Sequence, residues 1–295
     1  MPNLAETLSI LEPYPGIYAY YDGRVAGRRL HSGAENWLDD GAYKLGTATY
    51  SLVEGSEAIV YDTHMSLDHA SAIRAHLAGL GVTKFRVVLS HWHTDHVAGN
   101  AVFADCEIIA NRLTVEALHA NRQKLEAGDP PIKPVVMPTR TFVDRLVLTL
   151  GSRTVELLQF DIHSADGTVL FLRDAGILFA GDTVEDTITY ISEPEYIANH
   201  IRDLDRLAGL PIQKILPDHG SRDVIAAGGY PPSLIAANRD YLARLTAAID
   251  DPALDGQSLQ QFVADDIASG RVGYFAPYED VHRANIAALR GVAGA

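Results

Sequence analysis

Ser90-His91-Trp92-His93-Thr94-Asp95-His96 sets three imidazoles and a carboxylate between positions 91 and 96. The run before it, Phe85-Arg86-Val87-Val88-Leu89, is apolar and β-branched and reads as a buried strand. A helical stretch is expected to start near Asp95 and to carry Val97, Ala98, Val102 and Phe103. The cluster therefore falls on a strand-to-helix turn, where a rigid scaffold presents side chains to a cleft. Imidazole nitrogens and carboxylate oxygens are ordinary zinc donors, so this density points to a metal site. The competing reading makes the four residues unrelated surface or capping groups.

A chain of 295 residues holds one large α/β domain or two smaller ones. With 47% hydrophobic and 21% charged residues it is expected to be a soluble globular protein with a core that needs no disulfides. Cys106 is the lone cysteine, and its place beside Glu107-Ile108-Ile109 suggests a buried, inert thiol in a strand. A net charge of −14 with no basic run argues against nucleic acid or an anionic membrane surface as partner. No apolar stretch approaches the roughly 20 residues that span a bilayer. The start Met1-Pro2-Asn3-Leu4-Ala5-Glu6 lacks the pattern of a secretory signal, so a cytoplasmic location is expected.

In chain order, Pro13 and Pro15 end a short opening segment, and Gly16 to Tyr21 reads as the first strand. The Gly-, Arg- and Asp-rich stretch 24–46, with Trp37 and Tyr43 set into it, reads as a flap over a cleft or as a loop that Trp37 anchors. Thr47 to Val53 and Ala58 to Asp62 form a hairpin. Ser66 looks like the N-cap of a helix carrying Ile73, Leu77 and Leu80, with Gly79 and Gly81 as stops. A strand at 106–110, a helix at 113–125 and a loop at 129–134 follow. Runs at 146–150, 155–160, 168–172 and 176–180 suggest an antiparallel meander. A helix at 196–207 and a short strand at 214–217 come next. Beyond position 228 the pattern is helical only, at about 231–250, 259–268 and 281–289. This divides the chain into a catalytic region 1–228 and a C-terminal helical region 229–295 that packs on it. Two blocks of strands and helices suggest sheets layered face to face under helices.

One turn is unlikely geometry for a single shared site. His91 and His93 point the same way if the turn is extended, whereas Asp95 and His96 address a second point nearby. Two metals then need later ligands at strand ends, and His163, Asp182 and His219 stand there. Taken singly, each of these is as readily a solvated or capping residue.

His91-x-His93-x-Asp95-His96, followed in order by His163, Gly181-Asp182 and His219-Gly220, resembles the metallo-β-lactamase-fold hydrolase superfamily over about residues 16–220. The resemblance implies an α+β fold, a four-layer αββα sandwich, here with a C-terminal helical extension. It implies that His91, His93 and His163 bind one metal, that Asp95, His96 and His219 bind the other, and that Asp182 bridges them. Family members tend to carry Asp-Thr-Gly after the early hairpin, where this chain has Asp62-Thr63-His64. Asp62 is expected to orient a ligating imidazole or to serve as a plain turn residue.

Two zinc ions are the first choice of cofactor, with iron or mixed zinc and iron as the alternative. Such a pair makes hydroxide available near neutral pH, which attacks a carbonyl while Asp95 carries a proton to the leaving group. No Gly-x-Ser-x-Gly elbow supports a serine mechanism instead. The expected enzyme is a metal-dependent hydrolase of a small ester, lactone, thioester or amide. An aspartate at position 182 looks more like thioesterases and lactonases of the superfamily, while the stretch after His163 is similar to β-lactamases. The rivals are an iron-dependent oxygenase or thiol oxidase of the same fold, and a phosphodiesterase. Trp37, Tyr274 and Tyr278 are taken as substrate-lining, and the helical tail as a cleft wall, core cover or homodimer contact. The partner is a small-molecule substrate, with no nucleic acid and no membrane.

Overall fold

The computed structural model describes residues 3–39 and 44–293; Tyr43 lies outside them. The first sheet has seven strands in sequential order: β1 (Ser9–Tyr14), β2 (Ile17–Asp22), β3 (Thr47–Glu54), β4 (Glu57–Tyr61), β5 (Lys84–Val88), β6 (Glu107–Asn111) and β7 (Arg140–Phe142). Strands β1 to β4 run antiparallel, and β4 to β7 pair in parallel. The second sheet is the expected meander, β8 (Arg145–Leu150), β9 (Arg153–Gln159), β10 (Thr168–Leu172) and β11 (Ile177–Gly181), closed by β12 (Lys214–Pro217) parallel to β11.

The period of two along each strand sorts its side chains into layers. On β4, Ile59 and Tyr61 face the second sheet, while Ala58 and Val60 face the opposite way. Tyr50 and Tyr61 meet Phe179 of β11 between the sheets, with ring centroids 5.3 and 6.2 Å apart. The outer face of the first sheet is covered by α1 (Leu67–Gly79), through Ala70, Ile73 and Leu77, and later by a helix at Arg112–Glu126. Ser66 caps α1 as expected, its hydroxyl accepting from the His69 N–H.

After β5 the helical stretch is shorter than the sequence suggests. α2 is a single turn, Thr94–Val97, followed by a 3-10 turn at Asn100–Phe103. Gly99 separates them because the chain there lies against α1: a Cβ would fall 2.1 Å from the Thr63 carbonyl oxygen and 2.5 Å from Ala70 Cβ. The remaining helices are α3 (Arg112–Glu126), α4 (Ile197–Ala208), α5 (Arg222–Ala226), α6 (Ser233–Ala248), α7 (Leu259–Phe262), α8 (Ala264–Ala268) and α9 (Tyr278–Ala293). The expected helix 259–268 is thus two pieces broken at Val263, and α9 begins three residues earlier than its apolar pattern. α4, α6 and α9 join the core of the second sheet through Leu204, Leu207, Leu234, Tyr241 and Ile286.

Three elements carried no usable sequence signal. β1 contains Pro13, which an edge strand tolerates, and its register shifts between Leu11 and Tyr14. β7 has three residues and α5 has five, too short to show a period. Cys106 is half-buried rather than buried, because it precedes β6 instead of lying in it. Burial and a contact with Asp105 push its thiol up to about 11.

Gly99→Ala is expected to destabilise the fold by about 1–3 kcal/mol, as overpacking does; an unchanged denaturation midpoint would contradict the close packing of α1 on this turn. Raising the thiol to about 11 lowers the thiolate fraction at pH 8 roughly a hundredfold relative to an ordinary cysteine. Cys106 should therefore react slowly with Ellman's reagent at pH 8 and speed up towards pH 11.

Candidate metal centre and cleft

Each sheet contributes one parallel pair, and parallel strands end side by side. β4 and β5 deliver Asp62 and the turn 90–96; β11 and β12 deliver Asp182 and His219. His163 comes from the loop between β9 and β10. The two strand-end regions are tied together: the Thr168 N–H donates to Ser90 O at 2.8 Å, and the Tyr61 hydroxyl to Thr168 O at 2.5 Å. Gly181, with φ +55°, permits this approach, since a Cβ would lie 2.9 Å from Ser90 Cβ.

The result is two overlapping donor sets. His91, His93, His163 and Asp182 place one ligand atom each within 4.8 Å of one another, and so do Asp95, His96, Asp182 and His219. In the first set, His91 Nε2 and His163 Nε2 each lie 2.9 Å from His93 Nδ1. In the second, His219 Nε2 is 3.4 Å from both Asp95 Oδ2 and Asp182 Oδ2, and His96 Nε2 is 3.2 Å from Asp182 Oδ2. Asp182 Oδ1 is buried and has no hydrogen-bond partner. An orphaned carboxylate oxygen among converging imidazoles fits a cation, whose charge and coordination would satisfy it.

Every imidazole has its other nitrogen held from behind. Ser90 Oγ lies 2.9 Å from His91 Nδ1, and Ser192 Oγ 3.3 Å from His93 Nε2. The Tyr190 carbonyl accepts from His163 Nδ1 at 2.9 Å, and the Gly46 carbonyl from His219 Nδ1 at 2.8 Å. His96 Nδ1 faces two carboxylates, Asp62 Oδ2 at 3.0 Å and Asp218 Oδ2 at 3.1 Å. Asp62 also accepts from the Ser90 N–H at 2.7 Å, so it fixes both the turn and the ring. His64, where the family tends to have glycine, adopts φ +67°. The imidazole stabilises this left-handed residue locally: Nδ1 accepts from the Met65 N–H and Nε2 bonds Tyr20 O.

From the protein's own charges, the two sets differ. Burial pushes His91, His93 and His163 down, His93 to about 3, leaving their nitrogens neutral and free to donate a lone pair. Burial also opposes protonation of His96 and His219, but Asp182 and the neighbouring carboxylates outweigh it and raise both. Burial, with Asp62 and Asp182 close by, pushes Asp218 well above the ordinary carboxylate range against the pull of His96.

Five of the donors, His93, Asp95, His163, Asp182 and His219, line a cleft of about 810 Å³, together with Trp37, Trp92, Lys124, Tyr190, Ser192 and Glu185. Pro277, Asp280, Val281 and Ala284 of the C-terminal region form part of its wall. Trp37 lines the cleft and donates its Nε1–H to Pro130 O at 2.8 Å. Tyr274 and Tyr278 are not among the residues that line this cleft. Tyr274 lines a separate pocket with Arg24, Asp186 and Tyr230, and Tyr278 is wholly buried with its hydroxyl donating to Glu185 Oε2 at 3.0 Å. Apart from these, His200 is buried with Nε2 3.4 Å from Asp161 Oδ1 and has Glu193 close by. Sequence reasoning passed over Ser192, Asp218, Glu185 and the Gly46 and Tyr190 carbonyls. Only Asp218, adjacent to His219, is of a type that could have been flagged; a backbone carbonyl leaves no trace in residue identity.

Comparison with known proteins agrees with this geometry. Residues 43–219 match the family model of the metallo-beta-lactamase superfamily. A beta-lactamase-like protein 2 homolog of Caenorhabditis elegans is 27% identical over 177 residues, 59% of this chain and 56% of that protein. The acyl-coenzyme A thioesterase MBLAC2 of Gallus gallus is 25% identical over 211 residues, 62% of this chain and 76% of that one. Thus the match spans little more than half of the nematode relative. The crystal structure of the DIM-1 metallo-beta-lactamase exposed to ceftazidime superposes with a TM-score of 0.60 at 19% identity, covering 80% of this chain and 97% of the other. The chain belongs to the metallo-beta-lactamase superfamily. Within that fold, the converging imidazoles and carboxylates form a donor cluster suited to a divalent metal. Among the described residues no helix is long and apolar enough to cross a membrane.

The carbonyl acceptors behind His163 and His219 require a proton on Nδ1 of each ring. Long-range 1H–15N correlation spectra at pH 7 should show Nδ1–H for both; a ring protonated on Nε2 alone would contradict the arrangement.

Proposed function

We propose that the protein is a dinuclear zinc hydrolase whose substrate is an acyl thioester. The observation that carries this reading is the convergence of two donor sets, sharing Asp182, at a wide cleft. His91, His93 and His163 would hold one ion, Asp95, His96 and His219 the other, with Asp182 common to both. When bound, such ions polarise a carbonyl and acidify water.

The chain's own residues supply orientation and proton handling. Ser90, Ser192, the Tyr190 and Gly46 carbonyls and the Asp62 carboxylate fix the five rings, so the site is formed before substrate arrives. Asp95 sits between His96 and His219; although burial raises it, these imidazoles outweigh that and keep it a carboxylate. It is placed to accept a proton at Oδ2 and pass it towards a leaving group. An amine must be protonated to leave, so it makes the larger demand on a proton carrier. A thiol, with a pKa of about 8.5, departs without strong protonation.

The substrate class is supported further by the thioesterase name of the chicken relative, and by a cleft broad enough for an acyl chain beside Trp37, Trp92 and Val281. Lys124 on the rim offers a cation to an anionic carrier.

The test is a hydrolysis panel with metal analysis: an acyl-coenzyme A, a glutathione thioester, an aryl ester, an acyl lactone and a cephalosporin reporter. Thioesters should give the highest kcat/KM, with about two zinc ions per chain. Faster cephalosporin turnover, or one iron per chain, would overturn the reading. Asp182→Ala should bind at most about one ion per chain and lose more than about a hundredfold in kcat. Asp62→Asn should weaken zinc binding by about 10–100-fold, measured against a chromophoric chelator.

A further inference from the structure

We infer that the C-terminal helices complete the metal centre: Asn238 on α6 and Asn285 on α9 are positioning residues that act on His163 and His93 through segment 185–192. This inference rests on the hydrolase reading above and adds a role for a region otherwise explained as cover for the core.

The segment after Asp182 runs from Thr183 to Ser192 without helix or strand, so its buried backbone groups need partners from elsewhere. The tail supplies them. Asn238 Oδ1 accepts from the Thr189 N–H at 2.7 Å, and its Nδ2 donates to Glu185 O at 3.0 Å. Asn285 Oδ1 accepts from the Ile191 N–H at 2.8 Å, and its Nδ2 donates to Thr189 O at 3.1 Å. Tyr278 donates to Glu185 Oε2, while Glu185 Oε1 accepts from the Tyr190 N–H at 3.1 Å. Residue 190 is thus fixed on both sides, by Asn238 and Asn285 at its neighbours and by Glu185 at its own nitrogen.

The same short segment faces the metal donors. The Tyr190 carbonyl orients His163 through Nδ1, and Ser192 Oγ stands behind His93 Nε2. Two of the three imidazoles in one donor set therefore take their orientation from a strip of backbone that the tail holds in place. Core cover alone does not account for the residue types. Asn238 and Asn285 are both fully buried, and a buried amide costs free energy unless its bonds are made. An apolar side chain would cover the core without that cost, whereas each amide here spans an N–H and a C=O of segment 185–192.

The decisive measurement compares full-length wild type with Asn285→Ala and Tyr278→Phe. Zinc affinity is read by chelator competition, the absorption spectrum after cobalt loading, and kcat and KM on the best substrate. The expected result is a loss of about 10–100-fold in affinity, an altered cobalt spectrum, and a fall in kcat larger than any change in KM. Variants that melt at lower temperature yet keep wild-type affinity and cobalt spectrum would overturn the positioning role and leave α6 and α9 as core cover. Should Asn285→Ala fail to fold, Tyr278→Phe decides alone, because it removes a single hydroxyl. A wild-type chain that takes up neither zinc nor cobalt would overturn the hydrolase reading itself, and this inference with it.

Discussion

Five imidazoles and two carboxylates turned inward upon one another form the constraint around which the molecule is built. Buried polar groups need partners, and rings this close cannot all serve as donors to each other. The fold meets the demand from outside. Each ring is gripped at its far nitrogen by a serine, a carbonyl or a carboxylate, which turns its near nitrogen to the centre. Asp182 is the exception, with one oxygen left without a hydrogen bond in the middle of the cluster.

Sheet pairing explains why this convergence is possible. A strictly antiparallel sandwich would send neighbouring strand ends to opposite edges. Here β4 with β5, and β11 with β12, run in parallel, so four strand ends emerge at the same edge, two from each sheet. Glycine at 181 and glycine at 99 then allow the connecting turns to press together where a Cβ would collide. The site is a consequence of strand direction as much as of residue type.

The C-terminal helices extend this logic. Val281 and Ala284 give the cleft a wall, while Asn238, Asn285 and Tyr278 reach the irregular segment below it. Their sequence pattern showed amphipathic helices and no more, because a buried asparagine in a helix looks like a surface one until its partners are known. Tyr278, expected from sequence to line the substrate site, is wholly buried and bonds Glu185 through its hydroxyl.

By itself the sequence determined the meander, the hairpin, the Ser66 cap and the order in which donor-type residues appear, because periodicity, capping and motif spacing are local properties of the chain. It also located the turn 90–96, whose composition has few other uses. The tertiary structure alone decided which strands run parallel, where the helix after His96 stops, and which groups stand behind each imidazole. Those depend on contacts between residues as distant as Gly46 and His219, or His163 and Tyr190, and several are made by backbone carbonyls that every residue possesses.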